Sequence, residues 1–320
     1  MGSEEGTPSP DEAFKLLGDG TRIAILRAVW ASGDEPVPFS ALRERVGNPD
    51  SGQFNYHLNR LAGHFLSRVD GGYALTQAGR EVVRAVLAGT MTRRPDSTRA
   101  RIDARCATCG GALVAEYDEY ARIECADCSR TVMWNEFPPA GLEDRTPAAF
   151  ASAFDRWTQG RFRLAMDGVC PSCAAETTAT VVERDTGGGG GGRETDGDGD
   201  GDCEDGIDGE ADATDEGDEV VVDYRCGNCR YEARVPLFGH ALRHPAVVCR
   251  YYEAGVDVTR LPFWELQGLA ASFDETVVSE EPWRARVTAE VDGRRLSVTL
   301  DGGLDVVDVA DVVGDDPSDP

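Results

Sequence analysis

Eight of the ten cysteines fall into four Cys-x-x-Cys pairs, a spacing that can bring thiolates onto a metal ion. In the first half of the set, Cys106-Ala-Thr-Cys109 is followed after 15 residues by Cys125-Ala-Asp-Cys128. Two thiolates on one tight turn can reach the same ion, and two facing turns supply a closed tetrahedral shell. This pattern predicts a four-cysteine zinc ribbon over 106–128.

The remaining two pairs, Cys170-Pro-Ser-Cys173 and Cys226-Gly-Asn-Cys229, are separated by 52 residues. Most of that separation is a low-complexity tract, 185–219, with 15 acidic residues, one arginine and six consecutive glycines. Because the tract has very few apolar side chains, their burial cannot offset the chain entropy lost on folding. We therefore predict that it is a disordered insertion. Without it, 17 residues separate the pairs, and lengthening a loop costs only about 0.6 kcal/mol per doubling. The sequence therefore predicts a second ribbon over 170–229, and two structural Zn²⁺ ions per chain.

Other uses of cysteine fit the sequence less well. Disulfides are disfavoured because we expect a cytoplasmic protein, and no βαβ pattern surrounds a pair as in thioredoxin-like redox motifs. Iron–sulfur ligation and thiol-based sensing stay as alternatives. Cys203 lies in the low-complexity tract and Cys249 on an apolar helix face, where we expect a small core residue. His240 and His244 are spaced i, i+4 without a third ligand, and we interpret them as surface or capping residues.

The charge of the chain is strongly negative and unevenly distributed. The net charge is −26, from 58 acidic and 32 basic residues, and Lys15 is the single lysine. This composition is typical of a protein from a salt-loving archaeon, where carboxylates keep the surface hydrated. Residues 11–105 nevertheless carry 14 basic and 11 acidic side chains. A segment that approaches a polyanion has a physical reason to escape the acidic bias, because Coulomb repulsion would oppose binding.

Membrane association is not expected from the sequence. No apolar run approaches the roughly 20 residues that a membrane-spanning helix needs. The acidic N-terminal residues lack the apolar segment of a secretory signal. We therefore expect a cytoplasmic location and no membrane partner.

Hydrophobic periodicity divides the chain into two regions of different character. The first contains four helices, a tight hairpin at Asp70-Gly71-Gly72 and a helix capped by Thr76, predicted at 12–18, 21–30, 39–47, 50–66, 66–76 and 77–89. This order is typical of a winged helix-turn-helix domain, predicted here over 10–92. The second region, 103–320, holds the ribbons, and its further elements are helices at 145–166, 244–256 and 263–272 and a hairpin at 284–301. The predicted fold class is α+β multidomain: an N-terminal winged helix-turn-helix, then a zinc-ribbon-containing α+β domain with the acidic insertion.

Three stretches of the first region, LLGDGTRIAIL, FSALRERVG and DSGQFNYHLNRLAGHFLSRVDGGYALTQAGREVV, carry a family resemblance. Over about residues 10–90 the chain resembles the ArsR-type winged-helix transcriptional regulators, especially haloarchaeal members with a cysteine-rich C-terminal region. HPAVVCRYYEAGVDVTRLPFWEL resembles the C-terminal part of the same proteins. The resemblance implies a DNA-binding homodimer whose interface is formed by the first and last helices of the winged domain. FSALRERVG lacks the cysteine-containing motif of the metal-sensing members, so metal sensing at that helix is not implied.

In a winged helix-turn-helix the fourth helix enters the major groove of double-stranded DNA, and its N-terminal half meets base edges. The outward positions of the helix predicted for this role, 50–64, are Ser51, Gln53, Asn55, Tyr56, Asn59 and Arg60. Arg68 and the tip residue Gly71 would bring the hairpin against the DNA backbone. His57 is either a contact or, more in keeping with its position, a packing residue. We therefore predict a DNA-binding transcriptional regulator.

Two other functions remain open. A winged helix joined to a zinc ribbon also resembles the archaeal general transcription factor E, which implies an adaptor whose partner is the transcription machinery. Alternatively, the ribbons form a zinc- or redox-responsive switch. An enzyme is not expected, because the chain has no H-E-x-x-H or G-x-S-x-G motif and four-cysteine zinc sites leave no open coordination position.

Overall fold

The computed structural model describes residues 8–184 and 219–312, which form a mixed α+β structure. The chain divides into two compact units. The first comprises the residues up to Pro95 together with Pro138–Glu143, and the second comprises Asp96–Phe137 and the residues from Asp144 onward. The insertion predicted to be disordered lies outside the described residues, except that Glu219 begins a strand.

The first unit contains five α-helices and one hairpin in its described residues. They are α1 Pro10–Leu17, α2 Gly20–Trp30, α3 Phe39–Arg45, α4 Ser51–Leu61, β1 Leu66–Val69, β2 Gly72–Leu75 and α5 Gln77–Ala88. The predicted order of elements is present. The predicted extent of the fourth helix, to residue 64 or 66, is wrong. Ala62 is extended at φ −63° and ψ 137°, and Gly63 has a φ of +95°, so the helix ends at Leu61.

Side-chain caps set the starts of three helices in this unit. Asp19 accepts hydrogen bonds from the backbone of Thr21 at the start of α2, and Asp50 accepts them from Gly52 and Gln53 at the start of α4. Thr76 caps α5 as predicted. Such caps satisfy backbone N–H groups that have no partner within the helix.

The hairpin β1–β2 is held against the segment that precedes α3. Val37 and Tyr73 exchange two backbone hydrogen bonds of 2.9 and 3.0 Å. A side chain at Gly72 would place its Cβ 2.2 Å from the Val37 carbonyl oxygen, and the φ of Gly72 is +146°. Only glycine fits this close backbone approach. The hairpin and α4 thereby pack around a shared core that includes Phe54, Leu58 and Leu66.

The second unit contains three antiparallel sheets and four α-helices in its described residues. The sheets are β3 Thr98–Arg105, β4 Ala112–Tyr117, β5 Ala121–Cys125 and β6 Thr131–Asn135; β7 Thr177–Arg184, β8 Glu219–Cys226 and β9 Glu232–Pro236; and β10 Phe273–Glu280, β11 Trp283–Val291, β12 Arg294–Asp301 and β13 Val306–Val312. The helices are α6 Pro147–Met166, α7 Leu237–Ala241, α8 Pro245–Glu253 and α9 Phe263–Gly268. The predicted turn Asp292-Gly293 joins β11 to β12 with both residues at positive φ, which the two-residue hairpin turn requires.

The strands of each sheet follow one another along the chain and pair in that same order. β7 and β8 pair from Thr177↔Cys226 to Arg184↔Glu219, on either side of the predicted insertion. Val222, Leu237, Val247 and Val298 belong to the buried core that joins the second and third sheets to α7 and α8. The described residues thus place each Cys-x-x-Cys pair next to a strand end.

Helix α6, with 20 residues, packs on the first sheet through aromatic side chains. Phe150 and Phe154 lie against Phe137, and Phe150 also contacts Tyr117. The start of the helix is fixed by Thr146, which accepts from the Ala149 amide. Neither α6 nor any other helix within 8–184 and 219–312 combines the length and the apolar character that a membrane crossing requires.

Candidate metal centres and nucleic-acid interface

The four Cys-x-x-Cys turns have the same backbone structure. In each turn the residue after the second cysteine donates its N–H to the carbonyl of the first cysteine, at 2.9 to 3.2 Å. That residue has a left-handed φ between +59° and +69° in every turn. The four residues are Gly110, Ser129, Ala174 and Arg230. Three of them are not glycine, although this conformation is unfavourable for residues with a Cβ.

The turns bring the cysteines together in two quartets, and within each quartet all sulfur atoms lie within 4.8 Å of one another. The Sγ atoms of Cys106 and Cys128 are 3.9 Å apart, and those of Cys109 and Cys125 are 3.4 Å apart. In the second quartet the distances are 3.5 Å between Cys170 and Cys229 and 3.6 Å between Cys173 and Cys226.

These distances fit a metal ion and not a disulfide. Four sulfurs at 2.3 Å from a tetrahedral zinc ion are about 3.8 Å apart. A disulfide needs about 2.05 Å between its sulfurs, and the nine cysteines of the described residues are all free thiols. Each quartet could therefore hold one metal ion, and the two quartets are those predicted from the spacing.

Hydrogen bonds and burial give the sulfurs of the second quartet different acidities. A hydrogen bond from the Asn228 side chain and another from the Ala175 amide lower the pKa of Cys173 to about 6. The Tyr231 amide favours the thiolate of Cys229, but the neighbouring sulfurs, Cys170 first among them, outweigh it and raise its pKa to about 12.

The first quartet shows the same division. Burial opposes ionisation of Cys106, but the amides of Cys109 and Thr108 lower its pKa to about 7. The Gly111 amide favours the thiolate of Cys109, yet the sulfurs of Cys125 and Cys128 raise its pKa to about 12. Four adjacent sulfurs cannot all be anionic without a cation among them. A divalent ion would supply that charge, because metal-bound thiols are deprotonated.

In each quartet, the residue just before the last cysteine makes a hydrogen bond that connects the two turns. In the first ribbon the Asp127 carboxylate accepts from the Ala112 amide at 3.0 Å, which links the two turns. A Cβ at Gly111 would lie 2.3 Å from this carboxylate and 2.9 Å from the Asp127 Cβ, so a larger residue there would displace the Asp127 side chain. In the second ribbon the equivalent position is Asn228, whose side chain bonds Cys173. These supporting contacts were not identified from the spacing of the cysteines.

Outside the quartets, the predictions for three residues have mixed outcomes. His244 is a capping residue, since its Nδ1 accepts from the Ala246 amide at the start of α8. His240 is neither exposed nor a cap, because its side chain is half-buried and its Nε2 lies 3.1 Å from the Tyr224 hydroxyl oxygen. The expectation that Cys249 is a core residue is also wrong, because its helix turns it outward and it is exposed. Cys203 lies outside the described residues.

Helix α4 of the first unit has one buried and one exposed face. Phe54, Leu58 and Leu61 are fully buried in the core, and His57 is only 6 % exposed. His57 is therefore a packing residue, with its Nδ1 3.7 Å from the Asp19 carboxylate. The exposed face carries all the outward positions predicted from the sequence: Ser51, Gln53, Asn55, Tyr56, Asn59 and Arg60.

The hairpin supplies the other predicted contact residues, Arg68 and Gly71, and both are exposed. Gly71 is at the turn, with a φ of +91°. The Arg68 guanidinium donates a hydrogen bond to the side-chain oxygen of Asn59 in α4. Arg68 and Asn59, predicted separately, thus form one continuous polar surface across the hairpin and the helix.

Comparison with known proteins gives two family matches. The model of a domain of unknown function, DUF7347, matches residues 10–86. The model of a second domain of unknown function, DUF7351, matches residues 103–306, which include both cysteine quartets. No curated protein and no solved structure matches the chain. Since the second match covers more than half of the sequence, the chain belongs to the DUF7351 family.

Proposed function

We propose that this protein is a DNA-binding transcriptional regulator of the ArsR type, in which residues 10–92 form a winged helix-turn-helix and α4 enters the major groove. The observation that carries the proposal is the division of α4 into a fully buried apolar face and an exposed face of hydrogen-bonding side chains. No acidic residue lies within Ser51–Leu61, although the chain as a whole has a net charge of −26. Such a surface meets less Coulomb repulsion at the negative groove of DNA than the acidic remainder of the chain would.

The side chains on this face match the chemistry of base edges. Gln53 and Asn55 can each pair with adenine through two hydrogen bonds, and Arg60 can pair with guanine or a phosphate. Tyr56 is 58 % exposed, which leaves its ring and hydroxyl free for contact. The guanidinium of Arg68 and the turn at Gly71 would lie along the phosphate backbone. High salt weakens phosphate contacts, so in a halophile base contacts would supply more of the affinity.

We propose that the regulator is a homodimer, with α1 and α5 at the interface. Helix α1 buries none of its residues, and Phe14 is 68 % exposed on it. Leu87 at the end of α5 and Met91 just after it are also exposed, by 38 % and 71 %. Burial of these apolar side chains against a second copy would stabilise the dimer by roughly 25 cal/mol per Å² of apolar surface.

We further propose that residues 103–320 form a domain in which each quartet binds one structural Zn²⁺ ion. Zinc is bound by four thiolates at distances that agree with the observed sulfur spacing. A closed shell of four cysteines provides no open position for a substrate, so the role proposed is structural and the protein non-catalytic. We also propose that the protein acts in the cytoplasm of a salt-loving archaeon, because its composition is strongly acidic and the cysteines of the described residues are not joined in disulfides.

The DNA-binding proposal is tested by mapping the DNA bound in cells, and then footprinting a recovered site with purified protein. The double variant Gln53→Ala, Asn55→Ala should lose sequence preference and keep its fold, as measured by circular dichroism. Gln77→Ala removes an exposed glutamine outside α4 and is the control. Because α5 is proposed to lie at the dimer interface, the molecular mass of each variant is first compared with that of the wild type by light scattering. An unchanged footprint for the double variant would remove the assignment of base contacts to α4.

Two further experiments separate the rival functions. An adaptor would copurify with RNA polymerase and show no selective retention on particular DNA sites. A zinc- or redox-responsive switch would change its DNA affinity on addition of chelator or oxidant, whereas the proposed structural role requires affinity to change only when the protein loses its fold.

A further inference from the structure

Arg161 of helix α6 lies beside the second cysteine quartet and is largely buried. Its side chain is 11 % exposed. The guanidinium Nη2 donates to Ser172 Oγ at 3.0 Å, and its central carbon lies 5.1 Å from the centre of the Tyr231 ring. It also lies 6.0 Å from the centre of the Trp157 ring. Among the described residues the carboxylate nearest to it is that of Glu136, 3.6 Å from Nη2 and 72 % exposed, so water screens most of that negative charge.

These contacts connect Arg161 to both turns of the second quartet. Ser172 is part of the turn between Cys170 and Cys173, and its amide donates to the Cys170 sulfur at 3.4 Å. Tyr231 follows the other turn, and its carbonyl accepts from the Cys226 amide at 2.9 Å. One guanidinium therefore fixes a residue that bonds a ligand sulfur and a residue that closes the facing turn.

The first quartet has an arginine in a different setting. Arg130 Nη1 donates to Thr108 Oγ1 at 2.6 Å, and Thr108 occupies the same place in its turn as Ser172 does in the second ribbon. Arg130 comes from the ribbon itself, just after the Cys125–Cys128 turn, whereas Arg161 comes from a helix that packs against both ribbons. The two centres thus differ in what holds their first turn.

The charge of a metal–thiolate cluster makes such a neighbour important. Four thiolates around one divalent ion leave a net charge of −2, and a cation close by in a poorly solvated environment stabilises that charge. A planar guanidinium also fixes its hydrogen-bond partner in one orientation. Residues of this kind orient metal ligands and tune how tightly the metal is held.

We propose that Arg161 is a positioning residue for the second metal centre, where it holds the Cys170–Cys173 turn in ligand geometry and balances the charge of the metal-bound thiolates. The proposal rests on the metal centres proposed above. Loss of Arg161 should loosen the metal of the second centre and leave the first centre unchanged.

The test compares metal release from the full-length protein loaded with zinc. A chromogenic chelator follows release with time, and cadmium NMR of the cadmium-loaded protein gives one resonance for each centre. In Arg161→Gln, one of the two ions should leave faster by about 10- to 100-fold, the usual effect of losing an outer partner of a metal ligand. One cadmium resonance should shift while the other stays in place.

Three further variants make the result specific. Arg161→Lys keeps the charge and should release the metal more slowly than Arg161→Gln. If Arg161→Gln folds poorly, Arg161→Lys takes its place in the comparison with wild type. Arg163→Gln removes an exposed arginine from the same helix and should have no effect. Arg130→Gln should affect the other ion and the other resonance.

The role of Arg161 would be overturned if Arg161→Gln released both ions at the wild-type rates. It would also be overturned if the variant released both ions faster by the same factor. A wild-type protein that binds no metal at all would instead overturn the metal centres themselves. The two failures are therefore distinguished by the metal content of the unmodified chain.

Discussion

The imidazole of His240 is stacked on the phenol ring of Tyr224, with its Nε2 3.1 Å from the Tyr224 hydroxyl oxygen. Burial, reinforced by the nearby positive charge of Arg243, lowers the pKa of His240 to about 4. Burial also raises the pKa of Tyr224 to about 12. The pair is therefore neutral at neutral pH, and it joins α7 to β8 next to the strand end that carries Cys226.

This pair predicts a stability change in mildly acidic solution. The unfolded chain protonates His240 near its ordinary pKa of 6.5, whereas the folded chain protonates it only near 4. Between these values the unfolded state binds more protons, so stability falls as pH falls through this window. Urea unfolding gives the free energy of unfolding of wild type and of His240→Gln. The advantage of wild type over the variant should shrink by on the order of 2 kcal/mol from pH 7 to pH 4. A difference that stays constant with pH would contradict the assignment.

Two helical glycines predict opposite responses to the same substitution. At Gly79 of α5 a Cβ would lie 2.2 Å from the Phe65 carbonyl oxygen, whereas at Gly160 of α6 it would meet nothing within 4 Å. Gly79→Ala should cost about 1–3 kcal/mol through overpacking, and Gly160→Ala should gain roughly 1 kcal/mol from helix propensity. Urea unfolding of both variants checks this. If both substitutions stabilised the protein, the backbone at Phe65 would have moved away from the added Cβ, and the predicted clash would be wrong.

The left-handed residues of the cysteine turns give a third prediction. Ala174 has a φ of +60°, and its counterpart in the first ribbon is Gly110. Relief of this conformation should make Ala174→Gly stabilising by up to about 1 kcal/mol, after the larger entropy of the unfolded glycine chain is subtracted.

Ala107→Gly is the control, since Ala107 lies in a turn but does not have a positive φ. It should cost roughly 0.5 kcal/mol. Thermal unfolding at fixed zinc concentration measures both variants. A loss of stability in Ala174→Gly would show that its backbone conformation carries no strain.

The sequence predicted the features that depend on local spacing. Both cysteine quartets were identified because the two thiolates of a turn are always two residues apart, whatever lies between the turns. The same locality explains the cap at Thr76 and the turn at Asp292-Gly293, where the side chain or conformation needed is a property of one or two residues.

The features that were missed depend on contacts between distant segments. Cys249 has the same local pattern whether its helix face is covered or not, and here it is exposed. Arg161 reaches Ser172 only because α6 packs beside the second ribbon. The first Cys-x-x-Cys turn of each ribbon has a hydroxyl residue at the same position, Thr108 or Ser172. This shared hydroxyl was a sequence feature from which a hydrogen-bond donor outside the turn could have been predicted.

Serine substitution of single cysteines tests the metal centres directly. Cys173 and Cys249 are both exposed thiols, but only Cys173 belongs to a quartet. Cys173→Ser should lower the metal content from two ions to one per chain and reduce the unfolding temperature, because binding of a structural metal is part of the folding free energy. Cys249→Ser should retain two ions and the wild-type unfolding temperature.

Acid should act in the same direction as Cys173→Ser, since protonation of the thiolates competes with the metal. Elemental analysis after dialysis at decreasing pH should therefore show loss of metal, and the single ion left in Cys173→Ser should be lost as well. If Cys173→Ser and Cys249→Ser hold equal amounts of metal at every pH, the sulfur atoms brought together in the second quartet are not its ligands.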